Sequence, residues 1–175
     1  MRIEGQQIAL RDVLRADMKS KVRWYNDPQV NKTLLLEENL DLEKTLKWFD
    51  EHAGDNTRRE FIIENKQGES IGIAGLVRID RTHQTAEIYC IIGETKYWGK
   101  GVMLETEKLL ITYAFKEMGL EKIWACAVPA NIASIVTMKK LGFKIEGTLR
   151  KENIIRGQRI DVIRVGLLRE EFKPI

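Results

Sequence analysis

A strand, a glycine turn and a long helix are written one after another into residues 86–117, and few chain paths satisfy all three. Ala86-Glu87-Ile88-Tyr89-Cys90-Ile91-Ile92 is a β-branched run of strand length. Tyr97-Trp98-Gly99-Lys100-Gly101-Val102-Met103 follows, and from there Val102, Met103, Thr106, Leu109, Leu110, Tyr113 and Ala114 recur at helical steps. Glu105, Glu107, Lys108, Lys116 and Glu117 are expected on the other faces, and Gly119 supplies a left-handed stop. A strand entering such a turn and then a helix aims several backbone N–H groups at one point, where the positive end of the helix dipole favours an anion. The glycines let a ligand approach that backbone closely. Ordinary helix-start chemistry accounts for the same G-x-G, so the turn by itself leaves both readings open. No third glycine follows Gly99 and Gly101 at dinucleotide-fingerprint spacing before Glu105, and no G-x-x-x-x-G-K-[ST] occurs, so those two patterns are excluded.

The rest of the chain alternates strand-like and helical patterns. Residues 8–11 read as a strand and 16–25 as a helix that Pro28 stops, because proline drives its predecessor out of helical geometry. Asp41 is placed to cap a helix over 42–52 with Leu42, Thr45, Leu46 and Phe49 on its apolar face. Residues 61–64, 70–80 and 85–92 form a meander, and 122–128 a buried strand ended by Pro129. Asn131 caps a helix whose Ile132, Ile135, Val136 and Leu141 are expected to point inward before Gly142 ends it; 143–152 and 160–168 make a last hairpin. This order implies an α/β class: a mixed, partly antiparallel sheet with helices on both faces.

With 175 residues the chain suits one domain, taken as residues 1–175. A formal charge of +3, spread along the sequence, supplies no basic stripe for nucleic acid. Cys90 and Cys126 lie in apolar runs as small hydrophobes, without a disulfide framework. No segment has the apolar run of a signal peptide or membrane span, so no membrane partner and a reducing, cytoplasmic setting are expected. His52 and His83 lack partners at metal or triad spacing, and Trp24, Trp48 and Trp124 read as packing residues.

Three separated segments carry a resemblance: Tyr97-Trp98-Gly99-Lys100-Gly101, then Asn131 opening a helix, then Lys139-Lys140-Leu141-Gly142-Phe143. Together they resemble the acyl-CoA-binding signature of the GNAT superfamily of N-acyltransferases. Ile8-Ala9-Leu10-Arg11, Trp24-Tyr25-Asn26-Asp27-Pro28 and Gly157-Gln158-Arg159-Ile160-Asp161-Val162 extend the likeness over nearly the whole chain, toward the branch of ribosomal-protein alanine and polyamine acetyltransferases.

The resemblance implies an N-acetyltransferase fold and activity, with acetyl-CoA as acyl donor, no metal, and direct attack of an amine on the thioester. It places the diphosphate on the N–H groups of Gly99, Lys100, Gly101, Val102, Met103 and Leu104, and pairs the pantetheine amides with the backbone of Ile91 and Ile92. The sheet is expected to splay between residues 86–92 and 122–128 to admit that arm. Two positions depart from the family: Trp98 replaces a usual Gln or Arg, and Met103 a usual Gly or Ala. Asn131 has two readings, a hydrogen bond to the cofactor arm and a helix cap.

An alkyl amine with a pKa near ~10 must lose a proton before it attacks. Glu87 is the candidate base: strand alternation puts it on one face with Tyr89 and Ile91, beside the implied thioester. The competing reading of Glu87 is a surface ion pair, with Glu94 and Glu105 as rival carboxylates. Where many relatives carry a tyrosine that protonates the leaving thiolate, this chain has Met138, so Tyr89 or water is left for that task. Lys139 and Lys140 suit either the ribose phosphate or the helix dipole. Acceptor recognition is expected from residues 24–39, from Arg81-Thr82-His83 and from residues 153–161, with Glu37, Glu38 and Asp41 suited to a cationic acceptor. Polyamine, amino sugar, another small amine and a protein N-terminus all fit, a homodimer is possible, and a catalytically silent CoA-binding module is the alternative function.

Overall fold

The computed structural model describes residues 1–32 and 34–173; Thr33, inside the expected acceptor region 24–39, lies outside the described residues, as do Pro174 and Ile175. In chain order the elements are β1 (Arg2–Glu4), β2 (Ile8–Asp12), α1 (Met18–Asn26), α2 (Pro28–Asn31), α3 (Leu42–Glu51), β3 (Arg59–Asn65), β4 (Ser70–Asp80), β5 (Thr85–Ile92), α4 (Val102–Lys116), β6 (Lys122–Ala127), α5 (Ile132–Lys140), β7 (Lys144–Ile155) and β8 (Gln158–Leu168). The strands make one sheet ordered β1-β2-β3-β4-β5-β6-β8-β7, in which the β5–β6 pairing is parallel and every other pairing is antiparallel.

Strand alternation divides the core between the two faces of that sheet. Ile8, Leu10, Phe61, Ile63, Leu76, Ala86, Ile88 and Ile92 pack with Leu110, Ile111 and Ala114 of α4. On the opposite face Ile62, Ile73 and Ile91 pack against Trp24 of α1 and Val30 of α2. Each fully buried aliphatic or aromatic side chain contributes about 1.5–3 kcal/mol relative to exposure, which fixes both helical layers on the sheet. Among the described residues no helix is long and apolar enough to cross a membrane.

Two elements escape sequence periodicity. Pro28 ends α1 and also begins α2: Asp27 is extended (φ −64°, ψ 123°) and its side chain accepts from the Gln29 N–H at 2.8 Å. That is a capped start with proline at the first helical position, where its missing N–H costs nothing. β1 is a three-residue edge strand whose burial is slight, and only its pairing with β2 defines it. A third difference is a correction: Ile132 and Val136 are 63% and 44% exposed, and α5 instead buries Ser134 and Met138. With so many apolar positions on α5, composition did not mark the inward face.

Candidate functional site

β5 and β6 stay in register for only three pairs, Thr85–Lys122, Ala86–Ile123 and Glu87–Trp124. Beyond Glu87, β5 continues on β4 as far as Ile92 while β6 continues on β8 as far as Ala127, so the two central strands part. A cavity of about 1030 Å³ reaches into this gap, with Glu87, Tyr89 and Ile91 on one wall and Cys126, Asn131 and Met138 on the other. Gly93 N–H donates to the Ile71 carbonyl on the β4 side. By alternation the backbone of Ile91 faces β4, whereas that of Cys90 and Ile92 faces the open edge. The Ile92 carbonyl there accepts from the Trp98 indole N–H at 2.9 Å, which ties the glycine turn to the end of β5.

Gly99 and Gly101 have φ of +72° and +81°, a conformation that costs any residue with a Cβ atom. Gly101 is the N-cap of α4 and offers no side-chain cap. Among the described residues, none of the backbone N–H groups from Gly99 through Leu104 donates to another backbone group. The first turn of a helix left with open donors is an anion site by construction. A built Cβ at Gly99 meets nothing within 4 Å, so the approach to these donors is clear. The residues present therefore fit a diphosphate. The exposed Lys100 and the half-buried Met103 flank the donors without covering them.

Glu87 combines the two readings the sequence left open. Its carboxylate accepts from Arg78 at 2.8 Å, yet its side chain is only 16% exposed while that of Arg78 is 72% exposed. Burial pushes its pKa up, and Arg78 and Arg164 pull it back. The rivals are committed elsewhere. Glu94 accepts from Arg23 and from the buried Trp24 indole, and although burial pushes its carboxyl up, those donors hold it below the usual range. Glu105 accepts the Gln7 N–H at 2.9 Å. Asn131 caps α5 by accepting the Ser134 N–H at 3.2 Å, and it also lines the cavity. The two cysteines are free thiols on the cavity wall.

Tyr89 is the clearest change from the sequence reading of a spare proton donor. Its hydroxyl already donates to Glu60, and burial raises its pKa well above the tyrosine range. Glu60 in turn lies 3.3 Å from Arg58 and 3.8 Å from Lys21, and Lys21 sits over the Trp48 ring at 4.6 Å. Lys21, Tyr25, Arg58 and Glu60 all line the cavity, and sequence periodicity missed them because they come from α1, the segment before β3, and β3. Glu107 overturns a second expectation. Instead of facing solvent it is 2% exposed, lines the cavity, and leaves its Oε2 without a hydrogen-bond partner among the described residues. Its spacing from Met103 and Leu110 on the apolar stripe is the signal that could have found it.

Of the expected acceptor regions, the first contributes directly: Leu34, Leu36, Glu38 and Asn39 line the cavity, followed by Asp41. Glu37 instead accepts the Gly157 N–H at 3.4 Å, and Arg156 donates to Asn31, so the β7–β8 tip closes over α2 without reaching the cavity wall. Arg81 lines a separate cavity of about 420 Å³ beside Tyr113 and Met118. His83 pairs with Asp80 on the surface, and His52 stacks on Trp48. Lys139 and Lys140 are exposed in the last turn of α5.

Residues 7–144 match the acetyltransferase (GNAT) domain family. A spermidine N(1)-acetyltransferase of Escherichia coli (strain K12) is 30% identical over 168 residues, covering 96% of this chain and 89% of that protein. A spermidine N(1)-acetyltransferase of Vibrio cholerae is 26% identical over 168 residues, covering 96% of each chain. The crystal structure of spermidine N-acetyltransferase from Vibrio cholerae in complex with CoA and spermine superposes with a TM-score of 0.89 at 26% identity, covering 95% of this chain and 98% of that one.

Proposed function

This chain belongs to the acetyltransferase (GNAT) family and is an acetyl-CoA-dependent N-acetyltransferase, and on that premise we propose that residues 1–175 act as one domain that acetylates a primary amine of a polyamine. The observation that carries the reading is the parting of β5 and β6 at Glu87: it sets a partly buried carboxylate at the point where a cavity opens between the two strands and reaches α3. The similarity to spermidine acetyltransferases over almost the full chain supports the choice of acceptor.

In this reading the open N–H groups of Gly99, Lys100, Gly101, Val102, Met103 and Leu104 hold the diphosphate, and the free edge at Ile92 with the Asn131 side of the gap flanks the pantetheine arm. The acceptor enters past Glu38 and Asp41, whose carboxylates favour a polycation, while Glu60 is already balanced by Arg58 and Lys21. Glu87, acting directly or through water, takes the ammonium proton so that a neutral nitrogen meets the thioester. Raising the pKa of that carboxylate by burial brings it closer to the working pH, and Arg78 keeps it ionised often enough to serve.

The test is release of coenzyme A thiol from acetyl-CoA with spermidine, spermine, glucosamine and a peptide bearing a free N-terminus. Turnover with the polyamines and little with the others is expected. A preference for the peptide or the amino sugar would overturn the acceptor, and coenzyme binding without turnover on any amine would favour a silent binding module.

A further inference from the structure

We propose that Glu107 is the acid that protonates the departing coenzyme A thiolate, the task for which Met138 carries no proton; this rests on the acetyl-transfer reading above. Glu107 stands on α4 and Met138 on α5, two helices that pack on each other. Both line the same cavity, together with Cys90 and Ser134. The Glu107 side chain is almost wholly buried, and its Oε2 has no hydrogen-bond partner among the described residues. An unsatisfied buried polar atom is costly and rare in folded chains, and one in the wall of a cavity points to a partner that arrives with the ligand.

The protonation state agrees with that role. Burial alone pushes the Glu107 carboxyl up to about 8, so it holds its proton at neutral pH. The ionisable group beside it is Cys90 on β5, itself kept as a thiol first by burial and then by Glu107. A thiol with an ordinary pKa of ~8.5 and an acid near the same value are matched for transfer. Tyr89, a hydroxyl donor on the same wall, is bound to Glu60.

The step balances without a co-reactant. Glu87 passes the ammonium's first proton to solvent, and as the neutral amine nitrogen forms its bond to the acetyl carbon it loses its second proton to the freed Glu87 carboxylate. The C–S bond breaks with its electron pair on sulfur, and sulfur takes the Glu107 proton to leave as the thiol. Glu87 then returns its proton to solvent and Glu107 regains one.

The experiment uses the full chain with acetyl-CoA and spermidine, following thiol release against pH, with coenzyme A affinity measured separately by calorimetry. The wild-type kcat profile is expected to fall above pH ~8 as Glu107 ionises. Glu107→Gln is expected to keep coenzyme affinity, lose roughly 10²-fold in kcat and lose the alkaline limb. Glu107→Asp, which still carries a proton, is expected to retain that limb at a reduced rate. Wild-type kcat in Glu107→Gln, or a reduced kcat with the limb intact, overturns the assignment. Should the Gln variant fail to fold, a wild-type profile without an alkaline fall overturns it equally. Failure of the underlying reading looks different: the wild-type chain then neither binds coenzyme A nor releases thiol.

Discussion

Arg78 reaches Glu87 at 2.8 Å because β4 breaks its register beside it. The pairing of β4 with β5 shifts between Val77 and Asp80, and Arg78 sits inside that shift at φ +50°. A bulge re-aims a side chain that regular alternation would point elsewhere, and a left-handed arginine is strained unless its surroundings hold it. Here the guanidinium spans to the carboxylate at the mouth of the gap.

This pairing sets the acid limb of the reaction. As a base Glu87 works ionised, so activity is lost as pH falls through its pKa, which burial raises and Arg78 lowers. Glu87→Gln is expected to reduce kcat roughly 10²-fold with coenzyme affinity intact. Arg78→Gln removes the lowering influence and is expected to move the acid limb of kcat/KM to higher pH. Because Arg78 is largely exposed, high salt should mimic part of that shift. A pH–rate series at two ionic strengths checks both, and an unmoved limb in Arg78→Gln would remove the pair from the mechanism.

How far the sequence reaches depends on whether a signal is local. The strand, turn and helix around Gly99 and Gly101 are local, as are the Asp41 and Asn131 caps, and all stand where periodicity and cap chemistry put them. The bulge at Arg78 has no local signal, because neither glycine nor proline marks it. The group of Lys21, Tyr25, Arg58 and Glu60 is assembled from α1, the segment before β3, and β3, and only the packed sheet brings it together. Glu107 was hidden for the opposite reason: a charged residue on a helix is ordinarily solvated, and here the apolar stripe overrides its chemistry.

Gly93 has no room for a side chain. A Cβ there would lie 2.0 Å from Cγ of Trp24, whose ring is fully buried and whose indole N–H bonds Glu94 at 2.8 Å. Gly93→Ala must displace that ring or the backbone after β5, and destabilisation of about 3 kcal/mol is expected from overpacking. Denaturant unfolding measures it. A loss below about 0.5 kcal/mol would mean that α1 can shift away from the sheet without cost.

Gly101→Ala tests the turn in a different way. The added methyl meets only Gln7 Nε2, at 3.7 Å, so the expected cost is backbone strain at φ +81° rather than collision. Strain of about 1–2 kcal/mol lowers stability, and tilting the donors at the start of α4 is expected to weaken coenzyme A binding roughly tenfold. Calorimetry with coenzyme A and with its dephosphorylated, diphosphate-free pantetheine fragment separates the effects: the variant should lose affinity for the first and keep it for the second.

Glu107 also makes stability depend on pH in a direction opposite to that of most carboxylates. The folded chain holds this proton up to about pH 8, whereas an unfolded glutamate releases it near ~4.3. Between those values the folded state binds more protons, so stability is greatest below the unfolded pKa and falls as pH rises, levelling off above about 8. The ceiling on this loss is on the order of 5 kcal/mol, since each pKa unit corresponds to about 1.4 kcal/mol. Glu107→Gln removes the ionisation, so its unfolding free energy minus that of wild type should rise steadily across this window and flatten on either side. Denaturant titrations at several pH values measure the difference while cancelling groups common to both chains. A difference that stays constant with pH would mean that Glu107 is ionised in the folded chain and has found a counter-charge.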